Sequence, residues 1–113
     1  MKYLTRQEEL ILLAVYHLKE NAYLVSIRKH LKKFTGKSWS VGAVYAPLDR
    51  LGRNGYLNMH IGEATARRGP NAIKYYRLTK AGIAALTEVK KVNDVMWDGF
   101  SDIDYNVDTV SKG

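Results

Sequence analysis

The side chains whose types and spacing allow chemistry in this chain are cationic, and the chemistry they allow is phosphate binding. Arg28, Lys29, Lys32 and Lys33 crowd one stretch, Lys37 follows, Arg50 and Arg53 stand one helical turn apart, and Arg67-Arg68 adjoin Gly69-Pro70-Asn71 shortly before Lys74. Lys and Arg that neutralise phosphates release counterions condensed on nucleic acid, so such a surplus favours polyanions. The net charge of +7 is unevenly spread: residues 1–97 carry 17 basic and 7 acidic groups, and residues 98–113 carry 1 and 4. A basic surface that only confers solubility has the same signature, and charge alone leaves both readings open.

No comparable pattern supports catalysis. His17, His30 and His60 are isolated, with no H-E-x-x-H pair and no acidic partner at metal spacing. With no cysteine, disulfide scaffolds, thiolate zinc sites and thiol catalysis are excluded together. A P-loop, a G-x-S-x-G elbow and a dinucleotide-binding glycine pattern are also missing. The chain is therefore read as a non-enzyme without cofactor or metal. The apolar run Leu10 to Leu18 is too short to span a bilayer, and it is flanked by Glu8-Glu9 and Lys19-Glu20 rather than by signal-peptide features. A cytoplasmic protein with no membrane partner is expected.

The cations need elements to position them. At 113 residues and 46% hydrophobic, the chain suits one globular core, and a second copy joined through an apolar helix would add stability to so short a chain. Thr5-Arg6-Gln7-Glu8 is a capping box opening a helix to about Glu20. Its apolar residues lie nearly all round, Leu10, Leu13, Ala14 and Leu18 on one face and Ile11, Val15 and Tyr16 on another, which predicts burial on two sides. Ser26 is read as the cap of a second helix with core stripe Ile27, Leu31, Phe34, stopped by Gly36.

Ser40 caps a third helix, with Val41, Val44, Leu48 and Leu51 inward and Gly42, Ala43, Ala46, Asp49, Arg50 and Arg53 outward, closed by Gly55. Pro47 inside it predicts a bend or a tightened first turn. The period then changes to two: Leu57, Met59 and Ile61 predict a half-buried strand, Ala64 to Ala72 a turn, and Ile73 to Leu78 a second strand. Thr79 caps a last helix, Lys80 to about Trp97, with Ile83, Leu86, Val89, Val92, Met96 and Trp97 along one side that nothing later covers. The order is α+β: a winged helix-turn-helix of three helices and a two-stranded wing over residues 1–79, a dimerisation helix over 80–99, and an acidic mobile tail over 100–113.

Three segments in this order resemble the PadR-like transcriptional regulators: Ser40-Val41-Gly42-Ala43-Val44-Tyr45; Leu48-Asp49-Arg50-Leu51 leading to Gly55-Tyr56-Leu57; and Lys74-Tyr75-Tyr76-Arg77-Leu78-Thr79-Lys80-Ala81-Gly82. The resemblance covers roughly residues 4–97 and fits the short build with a single C-terminal helix. It implies a repressor that dimerises through its first and last helices, binds inverted-repeat promoter DNA and responds to a small aromatic or hydrophobic effector. Many members place proline directly after the tyrosine, whereas here Ala46 intervenes before Pro47.

A recognition helix enters the major groove by its N-terminal part. That role falls to Ser40, Gly42, Ala43 and Tyr45, with Arg50 and Arg53 meeting the phosphate backbone. Arg67 and Arg68 at the wing tip suit a minor groove or a phosphate, and Lys37, Lys74 and the lysines of the second helix suit phosphates. Ile11, Val15, Leu86, Val89, Val92 and Met96 are the expected dimer contacts. Trp97 either fills that interface with Val92, Met96 and Phe100, the favoured reading, or stacks on a flat hydrophobic effector. Rival readings are a protein-interaction module without specific DNA binding and an RNA-binding module, with an enzyme weakest.

Overall fold

The computed structural model describes residues 3–62 and 72–103. Its elements are α1 (Arg6–Leu18), a 3-10 turn (Lys19–Asn21), α2 (Leu24–Thr35), α3 (Val41–Arg53), β1 (Leu57–Ile61), β2 (Lys74–Leu78) and α4 (Lys80–Trp97). The architecture is α+β, a winged helix with one C-terminal helix.

The Thr5–Glu8 capping box opens α1: the Thr5 hydroxyl accepts the Glu8 amide at 3.1 Å, and Glu8 Oε1 accepts the Thr5 amide at 2.8 Å. α1 ends at Leu18 rather than near Glu20, because Lys19 turns to a positive φ of 53° and the chain tightens into the 3-10 turn. Ser26 does not cap α2. The helix begins two residues earlier at Leu24, and Ser26 lies inside its first turn, where its hydroxyl accepts the Tyr23 amide at 3.0 Å. Gly36, at φ 77°, closes α2 in the left-handed conformation that glycine adopts without a Cβ penalty.

Ser40 caps α3 by accepting the Ala43 amide at 3.1 Å. The helix runs as one α-helical segment through Pro47, which turns inward and is buried. Helices α1, α2 and α3 pack around Ile11, Leu12, Val15, Ile27, Leu31, Val44, Leu48 and Leu51, with Leu57 and Tyr76 closing the core from the wing. At roughly 25 cal/mol per Å² of apolar surface removed from water, these side chains supply the main drive for folding.

Four expected core positions are not core. Phe34, 68% exposed, lies at the end of α2, where its ring packs on His30 at 4.6 Å instead. Val41 is exposed in the first turn of α3. Of Leu57, Met59 and Ile61 only Leu57 is buried. The strands pair antiparallel with Leu57 opposite Leu78 and Ile61 opposite Lys74, so the ribbon leaves the body as it extends and Met59 and Ile61 outrun the core. Beside the core β2 gains a second neighbour: Ala22 accepts the Tyr76 amide at 2.8 Å, and Tyr23 bridges Tyr75. The wing's root is thereby tied to the α1–α2 turn.

Thr79 caps α4 as expected, accepting the Gly82 amide at 3.0 Å and donating to the Gly55 carbonyl at 2.6 Å. Gly82 is buried against the Tyr56 carbonyl so closely that a Cβ would collide with that oxygen. Leu86 packs on the edge of the core, while Val92, Val95, Met96, Trp97 and Phe100 are exposed. The wing turn with Arg67 and Arg68, and most of the acidic tail, lie outside the described residues.

Candidate nucleic-acid interface

At roughly 100° per residue, the side of α3 opposite the buried Val44, Pro47, Leu48 and Leu51 carries Gly42, Ala46, Asp49 and Arg53, all exposed. Tyr45 lies on the flank toward the wing and Arg50 on the flank toward α1. Small residues at 42, 43 and 46 leave the first half of this helix bare, so a flat or grooved surface can approach its backbone closely.

Of the expected contact residues, several are free to meet a partner. Lys37 is exposed, as are Lys29, Lys32 and Lys33 along α2. Ser40 is exposed, but its hydroxyl is engaged as the α3 cap. Tyr45 is half-exposed, and the Lys74 ammonium reaches over its ring from β2, 5.9 Å from the centroid. Tyr45, Asp49, Arg53, Met59, Lys74 and Tyr76 line a cleft of about 330 Å³ between α3 and the wing. Burial, and then the neighbouring Tyr45 and Asp49, push the Tyr76 phenol above its ordinary pKa.

The other cations have intramolecular duties. Arg50 does not simply face outward: its Nε donates to Glu8 Oε2 at 3.0 Å. Its side chain is 43% exposed and that of Glu8 9%. This pair ties the recognition helix to the first turn of α1. Burial alone pushes the Glu8 carboxyl up, but hydrogen bonds from Thr5 and Arg50 and the Arg50 charge outweigh it and hold Glu8 below its ordinary value. Arg53 Nε donates to Asp49 Oδ2 at 3.0 Å on the outer face. Arg28 Nε donates to the Trp39 carbonyl at 2.9 Å and so pins the α2–α3 turn. Sequence reasoning missed the pairings of Glu8 with Arg50, Asp49 with Arg53 and Arg28 with the Trp39 carbonyl; of these only Asp49–Arg53 had a readable signal, its i,i+4 spacing.

The expected dimer residues divide in two. Ile11 and Val15, 0% and 2% exposed, belong to the subunit's own core and leave no area for a second chain. The second side of α1 is instead formed by Leu13 and Tyr16, which with Ile83, Leu86 and Val89 line a hollow of about 500 Å³ beside α4. On the other side of α4, Leu4, Tyr56, Ala85, Val89 and Val92 line one of about 470 Å³. Met96 and Trp97 lie beyond both, exposed, with the Trp97 ring edge-on to Phe100 at 5.0 Å. Among the described residues no group of three or more His, Cys, Asp or Glu could hold a metal ion, and no helix is long and apolar enough to cross a membrane.

The model of the transcriptional regulator PadR-like family matches residues 12–88, which include α2, α3, both strands and half of α4. The chain belongs to the PadR-like family. Its solved relatives include a PadR family transcriptional regulator from Eggerthella lenta, 30% identical, with TM-score 0.66 over 83% of this chain and 80% of that one. A PadR-like transcription factor from Bacteroides fragilis is 31% identical, with TM-score 0.64 over 79% and 84%. A PadR family regulator from Clostridium difficile shares the fold at 21% identity, with TM-score 0.68 over 83% and 92%. No curated protein matches the chain. PadR-like proteins are transcriptional regulators that bind DNA, not enzymes, and the bare outer face of α3 beside a basic flank is the surface suited to that partner.

Proposed function

We propose that this PadR-like protein is a homodimeric repressor that binds inverted-repeat promoter DNA in the cytoplasm. The observation that carries the reading is the exposed outer face of α3, small at Gly42, Ala43 and Ala46, with Lys74 reaching over Tyr45 on its wing flank and exposed Lys29, Lys32, Lys33 and Lys37 on and just after α2. A major groove admits one helix, and small residues let its backbone sink toward the base edges. Tyr45 and Ser40 sit where phosphates or base edges would be met, and the wing with Arg67 and Arg68 follows the adjacent groove.

Residues 1–79 form the DNA-binding unit and residues 80–99 the dimerisation helix, with 100–113 an acidic appendage. The second copy packs on α4 over Leu86, Val89, Val92 and Met96, and on α1 through Leu13 and Tyr16 in place of Ile11 and Val15. The Trp97 ring is exposed at the end of α4, beyond both hollows, so a flat hydrophobic effector stacked on it between two subunits is part of the proposal.

Two measurements test it. Sedimentation should give twice the chain mass, and a footprint on the DNA upstream of the protein's own gene should show two symmetric half-sites about one helical turn apart, or a multiple of it. A monomer that protects no DNA while forming a 1:1 complex with another protein would replace the reading by an interaction module.

A further inference from the structure

The outer face of α3 holds a carboxylate at its centre, where a surface that only attracted phosphates would not. Asp49 stands one turn beyond Ala46 and one turn before Arg53, on the side opposite the buried stripe. Its carboxylate accepts Arg53 Nε at 3.0 Å, and the two side chains are 51% and 70% exposed. An exposed pair of this kind holds together weakly and reopens at little cost. Phosphates repel Asp49, so its place on this face calls for a donor on the DNA.

A carboxylate is an acceptor only. In the major groove the only donors are the exocyclic amines, cytosine N4 and adenine N6. Adenine sets its N6 beside the acceptor N7, which a carboxylate meets as like against like. Cytosine N4 has no such neighbour on its own base, and its partner guanine offers O6 and N7, the pair of acceptors that suits a guanidinium. Asp49 and Arg53, joined side by side, present an acceptor next to a donor fork. The alternation is complementary to a C·G pair or to two adjacent ones.

We propose that Asp49 is a specificity-determining residue of this regulator, accepting from cytosine N4 while Arg53 donates to guanine. The inference rests on the reading that α3 enters the major groove. It assigns the preference for C·G to the C-terminal half of α3, on residues that charge counting would treat as a neutralised pair, and gives Arg53 a base in place of the phosphate expected from the sequence.

Selection from a library of random duplexes tests it, with the full-length protein, Asp49→Ala and Asp49→Asn compared at one salt concentration. Wild type should select C·G at one position of each half-site, with roughly tenfold discrimination there. Asp49→Ala should lose that preference while keeping the others, and should bind scrambled DNA as tightly as wild type or tighter, since an anion has been removed from the phosphate side. Asp49→Asn should shift the same position toward adenine, whose N6 and N7 an amide matches. If both variants select the wild-type sequence with wild-type discrimination, Asp49 reads no base and the proposal is overturned. If wild type itself selects no sequence, the major-groove reading fails and this one with it.

Discussion

Glu8 and Arg50 should act as one unit, and a double-mutant cycle measures how strongly. Both Glu8 oxygens are engaged, Oε1 by the Thr5 amide at 2.8 Å and Oε2 by Arg50 Nε at 3.0 Å. A hydrogen bond to a charged group contributes about 1.5–3 kcal/mol when shielded from water. The Arg50 side chain is 43% exposed, which discounts its bond to about 1 kcal/mol. The returning bond to the helix cap adds about 0.5–1 kcal/mol. Glu8→Ala should therefore cost about 2 kcal/mol, or about 10 °C in Tm for a domain of this size. Thermal and urea unfolding of wild type, Glu8→Gln, Arg50→Gln and the double variant, at one protein concentration, should give a coupling of about 1 kcal/mol. The pH dependence has a definite sign. With the folded-state value lowered, this stabilisation is present at neutral pH, above the ordinary glutamate value, and is lost as pH falls from there through the lowered folded-state value, where the carboxylate takes up its proton. A coupling under about 0.3 kcal/mol at pH 7, or one that acidification down to acid unfolding does not weaken, would refute the reasoning.

Gly82→Ala should destabilise the fold by about 2 kcal/mol or more, because the new methyl collides with the Tyr56 carbonyl and must push α4 off the wing root; an unchanged Tm would contradict that packing. Burial, with His17 and Lys33 nearby, holds His30 below the ordinary imidazole value. The unfolded chain then binds that proton first, so stability is full above roughly pH 7 and falls as pH drops through roughly 6.5. His30→Asn should lose less Tm than wild type between pH 7.5 and 5.5, and equal losses would place the effect elsewhere. Val92→Arg puts a charge on the exposed apolar face of α4 and should yield monomers by sedimentation with helical content intact; a persisting dimer would move the interface off α4.

Elements were legible where a local rule decides them. The Thr5–Glu8 box, the Ser40 and Thr79 caps and the Gly36 stop each set a helix end by bonds within a few residues, and all four stand as read. Ser26 misled because a serine at the third helical position, which reaches back to the amide of the residue before the helix, is indistinguishable in sequence from a capping serine, which accepts amides of the turn that follows it. Periodicity identified the faces of α1, α2 and the wing but not how far the body covers them, so Phe34, Met59 and Ile61 fell on the solvent side of a correct pattern. At the candidate interface, residue types marked exposed cations but not their intramolecular partners. Arg50 reads as a phosphate ligand and Arg28 as part of a charged outer face, and their partners, Glu8 and the Trp39 carbonyl, are remote enough in sequence that only the fold reveals them. Ile11 and Val15 could not be told from Leu13 and Tyr16 on a helix apolar all round, since which side meets α2 and α3 is a tertiary fact.

The central claim is that the outer face of α3 recognises DNA, and one titration tests it most directly. Affinity of the full-length protein for its own upstream DNA is measured against scrambled DNA of equal length, at several salt concentrations, for wild type and Ala46→Glu. Ala46 is exposed at the middle of the bare face, so the substitution should leave the unfolding free energy within about 0.5 kcal/mol of wild type while placing a charge against the groove. The account predicts a large preference of wild type for the upstream DNA, affinity that falls steeply with salt, and loss of that preference in Ala46→Glu. Equal binding of both DNAs by wild type, or an unaltered preference in the variant, would contradict it.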